Sequence, residues 1–340
     1  MLPDFSFGGR GEGRHFDFRG REYGELMHRR DFLALLATGV ASKAFGRAGR
    51  SLANTTPRRV VPNAAAKLNR ISISTWSLHN YFRATRDSDF NLAGPLLALL
   101  DFPEMMVDRY KVRHWDVCAT HFPSTEPAYL RELKYVLVHT LSTIVNVSVD
   151  IKEGGPDGTF SDPDPEERRA AVNAVKPWVD VAHELGVKSV LVGPGRVARG
   201  NLVHAAESYK ALAIYALAKG VHVMVENQGR FGTEHPEELT KLLKLAGPGR
   251  LSVLPDFANF PDEPTRERGL KMLFPYTPSL CHAKGLEFGA DGAETGYDFP
   301  QAMAIAKKAG FRGVYSIKFD GPGDPYAGIQ KTLDELLKYL

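Results

Sequence analysis

The stretch VHVMVENQG, Val221–Gly229, decides how this sequence reads. Its first part is apolar and β-branched, the composition of a buried strand. It then ends in a carboxylate, two amides and a glycine, with Glu226 first. A carboxylate at the end of a buried strand is costly unless it meets a cation, a metal or several hydrogen-bond donors. Three apolar runs downstream end in polar residues in the same way: LSVLPDFANF (251–260), SLCHAKG (279–285) and GVYSIKFDG (313–321). Four strand ends with four polar clusters point to one shared site at one rim of a barrel.

Working outward, the chain from Ile71 onward alternates strand-like and helix-like segments. Strands are expected at 71–76, 114–120, 141–150, 188–192, 221–226, 251–256, 278–284 and 313–319. Helices are expected at 92–100, 127–140, 165–186, 202–220, 235–247, 265–274, 298–310 and 325–340, the one at 298 capped by Asp298. Strict alternation implies parallel strands joined by right-handed crossovers. Eight such units predict an α/β protein, a (β/α)8 TIM barrel forming a single domain over residues 70–340. A doubly wound open sheet would place a glycine-rich phosphate-binding turn after the first strand. That turn is SLHNYF (77–82), which holds no glycine. The Gly/Pro/Asp-containing loop before Pro165 is long enough to predict a lid.

The 340 residues carry a net charge of +3, unevenly spread. Residues 1–62 hold 11 Lys+Arg and 6 Asp+Glu, and the remainder holds 32 and 34. The globular part is therefore slightly acidic, which argues against an extended nucleic-acid surface. Cys118 and Cys281 both sit in apolar runs and read as buried free thiols.

Residues 1–53 read as a disordered extension followed by an export signal, with 54–69 a linker. In MHRRDFLALLATGVASKAFG, paired Arg29 and Arg30 precede a short apolar run, and Met27 just ahead of it could be the true start. The segment resembles a twin-arginine signal, an address read by the twin-arginine export machinery. The run is too short and too rich in Gly and Ala to span a bilayer comfortably. Small-residue cleavage options lie at 42–44 and 51–53. The expected location is periplasmic, or otherwise exported.

In a barrel of this type the chemistry lies at the carboxyl ends of the strands. The candidates there are Trp76 and His79, His121 and Phe122, Glu226 and Asn227, Asp256 and Asn259, His282 and Lys284, and Lys318 and Asp320. Glu226, Asp256 and His282 form a carboxylate–imidazole set suited to a divalent ion such as Mn, Mg, Co or Zn. Singly, each has an ordinary reading: a strand-end Asp caps the next helix, and a strand-end His is a satisfied core residue. Their spacing, one barrel unit apart, favours a joint role.

The segments VENQG, LPDFANF, CHAKG with EFGADG, and GVYSIKFDG, together with HFPST (121–125), resemble the xylose isomerase-like barrel family. The resemblance implies a metal held by a Glu on strand 5, an Asp on strand 6, a His on strand 7 and a Glu on strand 8. The first three match Glu226, Asp256 and His282. At the fourth, where the family usually reads I-E-Y-E-G, this chain reads Ile317-Lys318-Phe319-Asp320-Gly321.

Three outcomes are open. The Lys318 ammonium could take the metal's place between Glu226 and Asp256. Asp320, on the same strand face, could serve as ligand. Lys318 could be neutral and act as a base.

The resemblance further implies an isomerase or epimerase acting by proton transfer next to a carbonyl of a sugar, keto-sugar or polyol. Glu226 would be the acid/base and Lys318 or Asp320 its partner. His121, Asn227 and Lys284 would bind the substrate, and Trp76 and Phe122 would cover it. A dehydratase or keto-glycoside lyase is the related alternative, since the same enediolate can eliminate. A non-catalytic sugar-binding barrel with a decayed metal site is the alternative of a different class. An endonuclease of the same superfamily would need more histidines at the strand ends and a basic face. The expected partner is a small sugar or polyol; no nucleic acid is expected, and a homo-oligomer is compatible with the sequence.

Overall fold

Alternating residues on a strand face opposite sides, and in this chain the two sides make two separate apolar clusters. The computed structural model describes residues 64–88, 96–150, 160–195, 202–229 and 232–340. Within them lie eight strands: β1 (Ile71–Ser74), β2 (His114–Cys118), β3 (Thr143–Val149), β4 (Ser189–Val192), β5 (His222–Glu226), β6 (Ser252–Leu254), β7 (Leu280–Gly285) and β8 (Val314–Phe319). Every ladder is parallel, in the order β6-β5-β4-β3-β2-β1-β8-β7. One residue parity, including Ile73, Val117, Val147, Val190, Val225, Val253, Ala283 and Ile317, packs outward into the main core. The other parity lines the barrel. Its lower part is a small apolar plug of Leu191, Met224, Leu254 and Leu280, and its upper part is polar.

The ring closes between β6 and β7. Pro255, without an N–H, ends the β6 ladder. The chain then re-pairs once, with Asp256 opposite His282. His282 N–H donates to Pro255 O at 2.8 Å, and Phe257 N–H donates to His282 O at 3.1 Å. The molecule is thus the expected (β/α)8 TIM barrel, and its seam runs through two of the candidate site residues.

The helices are α1 (Ala64–Leu68), α2 (Phe102–Tyr110), α3 (Pro127–His139), α4 (Pro165–Leu185), α5 (Leu202–Leu217), α6 (Pro236–Ala246), α7 (Glu263–Leu273), α8 (Phe299–Lys308) and α9 (Pro325–Tyr339). Asp164, Asp262, Asp298 and Asp324 cap α4, α7, α8 and α9 by accepting backbone N–H groups of the first turn. Gly321 lets the chain turn tightly after β8, since any Cβ there would overlap the Leu286 carbonyl oxygen.

Two sequence expectations need correction. The helix after β1 is α2, not 92–100. Phe102, Met106 and Tyr110 recur at helical spacing and are buried, whereas 96–100 is irregular and 92–95 lies outside the described residues. The end of the expected linker, 64–68, is helical, and Lys67 Nζ donates to Leu337 O at 2.7 Å. The expected leader, 1–53, and most of the expected lid, 151–164, also lie outside the described residues. Cys118 and Cys281 are buried and unbridged. Among the described residues no helix is long and apolar enough to cross a membrane.

The plug is the floor on which the polar layer stands. Met224 is fully buried there. Met224→Ala should therefore cost about 2–5 kcal/mol of unfolding free energy, read from chemical denaturation.

Candidate active site

The upper inward positions of β2, β5, β7 and β8, and Asp256 just past β6, bring five ionisable groups together. Lys318 stands at the middle. Its Nζ lies 2.9 Å from Glu226 Oε1, 3.5 Å from Asp256 Oδ2 and 3.4 Å from His282 Nδ1. His282 Nδ1 is 2.6 Å from Glu226 Oε1, and its Nε2 is 2.7 Å from Asp116 Oδ2. Both ring nitrogens face carboxylate oxygens, an arrangement that favours the doubly protonated imidazolium. Asp256 and Asp116 are fully buried, and Glu226 and His282 nearly so.

Charge, more than burial, sets the protonation states here. Burial alone would lower the Lys318 pKa, but the carboxylates of Glu226, Asp256 and Asp116 outweigh it and hold the amine charged. Burial alone would raise the Glu226 carboxyl, but Lys318 and His282 outweigh it and keep it ionised. Burial and the neighbouring Lys318 both push His282 down, yet Glu226 and Asp116 bring it up to about 8. A neutral, basic Lys318 is therefore not the state this cluster stabilises.

These groups face a cavity of about 500 Å³, large enough for a small ligand. Trp76, Glu226, His282, Lys284, Lys318 and Asp320 line it, all of them expected there. Trp76 is stacked on His79, with ring centroids 4.8 Å apart. Lys284 Nζ donates to Asn259 Oδ1 at 3.0 Å and pairs with Asp320 Oδ2 at 3.1 Å. Asp320 is thus spent on Lys284 and lies outside the Glu226–Asp256–His282 set.

Three expected substrate contacts lie elsewhere. Asn227 is fully buried and clips β5 to the start of the β6–α7 loop. Its amide donates to Asp256 O at 2.9 Å and accepts from Asp256 N–H at 2.8 Å, so it positions Asp256. His121 spends its two ring nitrogens on Thr75 and Thr85 hydroxyls, both at 2.8 Å, and stacks on Phe82. Burial, with His79 nearby, lowers its pKa to about 3, so it is a neutral packing residue. Phe122 packs edge-on against Trp178. Both His121 and Phe122 face a second, apolar cavity instead.

Asp116 was not foreseen. The available signal was a lone charge inside the strand-like run HWDVC, at an inward parity. Ser74, Cys118, Ser148, Asp150 and Gln228 also line the cavity. Burial and the nearby Asp116 carboxylate push the Cys118 thiol well up, which leaves it unreactive.

The family model described as xylose isomerase-like TIM barrel matches residues 108–339. The chain belongs to that family. No curated protein sequence matches it. Among solved structures, the chain is similar to D-psicose 3-epimerase with D-tagatose from Clostridium cellulolyticum H10. That match has 15% identity and a TM-score of 0.58, and covers 78% of this chain and 95% of that one. It is similar to D-allulose 3-epimerase from Methylomonas sp. at 13% identity and a TM-score of 0.60, over 80% and 98%. It is similar to 3-keto-D-glucoside 4-epimerase from E. coli at 14% identity and a TM-score of 0.58, over 79% and 99%. At these identities the likeness is one of fold.

In this xylose isomerase-like barrel, ligand atoms of Glu226, Asp256 and His282 lie within 4.8 Å of one another and could hold a metal ion. The arrangement around them does not fit one while Lys318 is in place. A divalent ion sits about 2.0–2.2 Å from such ligands. The Lys318 nitrogen already lies within 3.5 Å of an oxygen or nitrogen of all three residues, in the space such an ion would fill. Both His282 nitrogens are already engaged, Nε2 by Asp116 at 2.7 Å and Nδ1 by Glu226 at 2.6 Å, with Lys318 Nζ 3.4 Å from Nδ1. Asp256 Oδ2 is buried without a hydrogen-bond partner, held by the charges of Lys318 at 3.5 Å, His282 at 3.8 Å and Lys284 at 4.0 Å.

The charges set the pH response of stability. His282 sits at about 8 against an ordinary 6.5, so the folded protein holds a proton that the unfolded chain has released. That contribution is complete below pH 6.5 and gone once the pH has risen through about 8. Glu226 is lowered from its ordinary 4.5, so its contribution is complete above that value and is lost as the pH falls below it. Thermal stability should therefore peak at about pH 5–6.5 and fall toward pH 8. A calorimetric pH series on wild type and His282→Gln checks this, and the alkaline fall should flatten in the variant.

Proposed function

We propose that the chain is a sugar isomerase or epimerase-like enzyme that works without a metal, with the Lys318 ammonium as its central cation. The observation that carries this reading is the position of Lys318 Nζ, next to one ligand atom of each residue of the Glu226–Asp256–His282 set. Three similar structures bear the names of sugar epimerases, which supports a sugar, keto-sugar or polyol as substrate.

The proposed step is proton transfer next to a carbonyl. Lys318, which lines the cavity, donates an N–H to the substrate carbonyl oxygen. Glu226 takes the proton from the adjacent carbon, and the C–H electron pair moves to form the enediolate, whose negative oxygen Lys318 stabilises. Return of the proton from Glu226 to the neighbouring carbon, with the hydroxyl proton passing to the former carbonyl oxygen, isomerises the sugar. Epimerisation instead requires Lys318 or Asp320, as the partner acid, to deliver a proton to the opposite face of the same carbon while Glu226 keeps the one it took. Lys284, Asp320 and Trp76 hold and cover the substrate.

One observation favours a second reading, a non-catalytic sugar-binding barrel. Two cations hold Glu226 well below the ordinary carboxylate range, which weakens it as a base. Substrate entry must loosen the Lys318 contact for Glu226 to regain basicity.

The leader around Arg29 and Arg30 supports an exported, periplasmic enzyme meeting free sugars. Cell fractionation should find the mature chain outside the cytoplasm, and an Arg29→Lys, Arg30→Lys pair should hold it inside.

In deuterated water the purified protein should exchange a carbon-bound proton of a ketohexose or 3-keto-glycoside at a rate unchanged by a chelator. Glu226→Gln and Lys318→Met should each slow exchange about 100-fold or more. Elemental analysis of the same protein should find no stoichiometric metal. Tight sugar binding without exchange would select the binding-protein reading.

A further inference from the structure

Asp116 is the buried charge that the proposed reaction leaves unused. It is fully buried on β2. One oxygen accepts from Asn146 Nδ2 at 2.8 Å and Ser148 Oγ at 3.2 Å. The other faces His282 Nε2 at 2.7 Å and Ser316 Oγ at 3.4 Å. Asn146 is fixed in turn, its Oδ1 accepting from Ser189 Oγ at 3.0 Å. Side chains from β3, β7 and β8 thus converge on one β2 carboxylate, with Ser189 of β4 supporting Asn146 behind them. A buried anion with four donors is costly to assemble, and its one ionic contact is the far side of the His282 ring.

We infer that Asp116 is a positioning residue. By holding Nε2 of His282, it fixes the ring so that Nδ1 points at the central cation slot, whichever cation fills that slot. An imidazole held through its outer N–H by a carboxylate is the arrangement that orients a histidine toward a cation and increases its basicity. Here the slot holds Lys318, 3.4 Å from Nδ1, and in a variant without the ammonium the same ring is oriented to meet a divalent ion once Nδ1 gives up its proton. The inference rests on the reading of Lys318 as the slot's occupant, but not on any turnover.

The test uses Mn²⁺ as the probe and full-length purified protein. Lys318→Glu removes the ammonium and supplies a fourth carboxylate, and isothermal titration should then show one Mn²⁺ bound per chain. Adding Asp116→Asn should weaken Mn²⁺ binding by about 10–100-fold. In a Lys318→Glu, His282→Gln background, Asp116→Asn should have little further effect, because the ring it positions is gone. A merely structural role would weaken binding equally in both backgrounds.

If Asp116→Asn fails to fold, Asn146→Ala takes its place. That variant removes one donor from the carboxylate and should weaken Mn²⁺ binding in Lys318→Glu but not in Lys318→Glu, His282→Gln. Equal Mn²⁺ affinity with and without the second substitution overturns the inference, as does a Lys318→Glu protein that binds no Mn²⁺. Neither result bears on whether the native chain exchanges sugar protons, so the two readings fail separately.

Discussion

A protonated amine inside a protein must be matched by anions close enough to replace its lost hydration. Lys318 meets this condition with Glu226 at 2.9 Å and Asp256 at 3.5 Å. Three buried carboxylates, counting Asp116, then require more positive charge than one ammonium supplies. His282, whose pKa the carboxylates bring up to about 8, provides a second positive charge, and Lys284, 4.0 Å from Asp256 Oδ2, a third. The cluster is therefore a single electrostatic unit. Removing one member leaves another charge buried and unmatched, a loss of about 3–5 kcal/mol in comparable buried pairs. Much of the barrel's rim serves this unit. Asn227 holds the backbone of Asp256, Asn146 and Ser148 hold Asp116, and the β6–β7 seam brings Asp256 beside His282.

The position of the seam follows from sequence. Pro255 cannot donate to a ladder, so β6 is short and the barrel closes through a single pairing beyond it. A seam with few backbone bonds is the weakest part of a closed sheet. Here the opposed charges of Asp256 and the His282 imidazolium stand on either side of it, 3.8 Å apart, and draw its edges together. Closure and site chemistry thus depend on the same two residues.

The architecture was legible because parallel strands buried on both faces and helices capped by Asp each leave a local pattern. Asp298 and the run VHVMVE could be read one residue at a time. The gathering of Glu226, Asp256, His282, Lys284 and Lys318 at one candidate site was legible, because their positions at strand ends fix their direction. His121 and Phe122 lie beyond the end of β2, where a short turn, Ala119–His121, carries the chain away from the barrel axis. Strand parity no longer applies there, so their facing could not be inferred. Asn227 was misplaced for a related reason: it follows a cavity residue, and the next position along a strand faces the other way. Asp116 was overlooked because one charge in an apolar run is a weak signal until its partner, 166 residues away, is known. The helix at 102–110 lost out to a Leu-rich stretch of similar appeal, and Pro103 at its first turn was the cue that separates them.

Exchanging a divalent ion for an ammonium changes what the site can ask of a ligand. A metal offers open coordination positions in several directions, whereas an ammonium has three N–H groups and one charge. One of the three is committed to Glu226 at 2.9 Å, and Asp256 at 3.5 Å is a looser claimant on the second. The third remains for an oxygen in the cavity that Lys318 lines, with His282 Nδ1 3.4 Å from the same nitrogen. A single directed hydrogen bond cannot grip two substrate oxygens as a metal can. Orientation must then come from the walls, from the Trp76 ring and the Lys284–Asp320 pair. On the proposed reading, a substrate oxygen that competed for the ammonium would loosen the Glu226–Lys318 contact and so raise the basicity of the carboxylate. In such a site the binding of a carbonyl oxygen and the activation of the base are one event, and a ligand without that oxygen would be held but left unreacted.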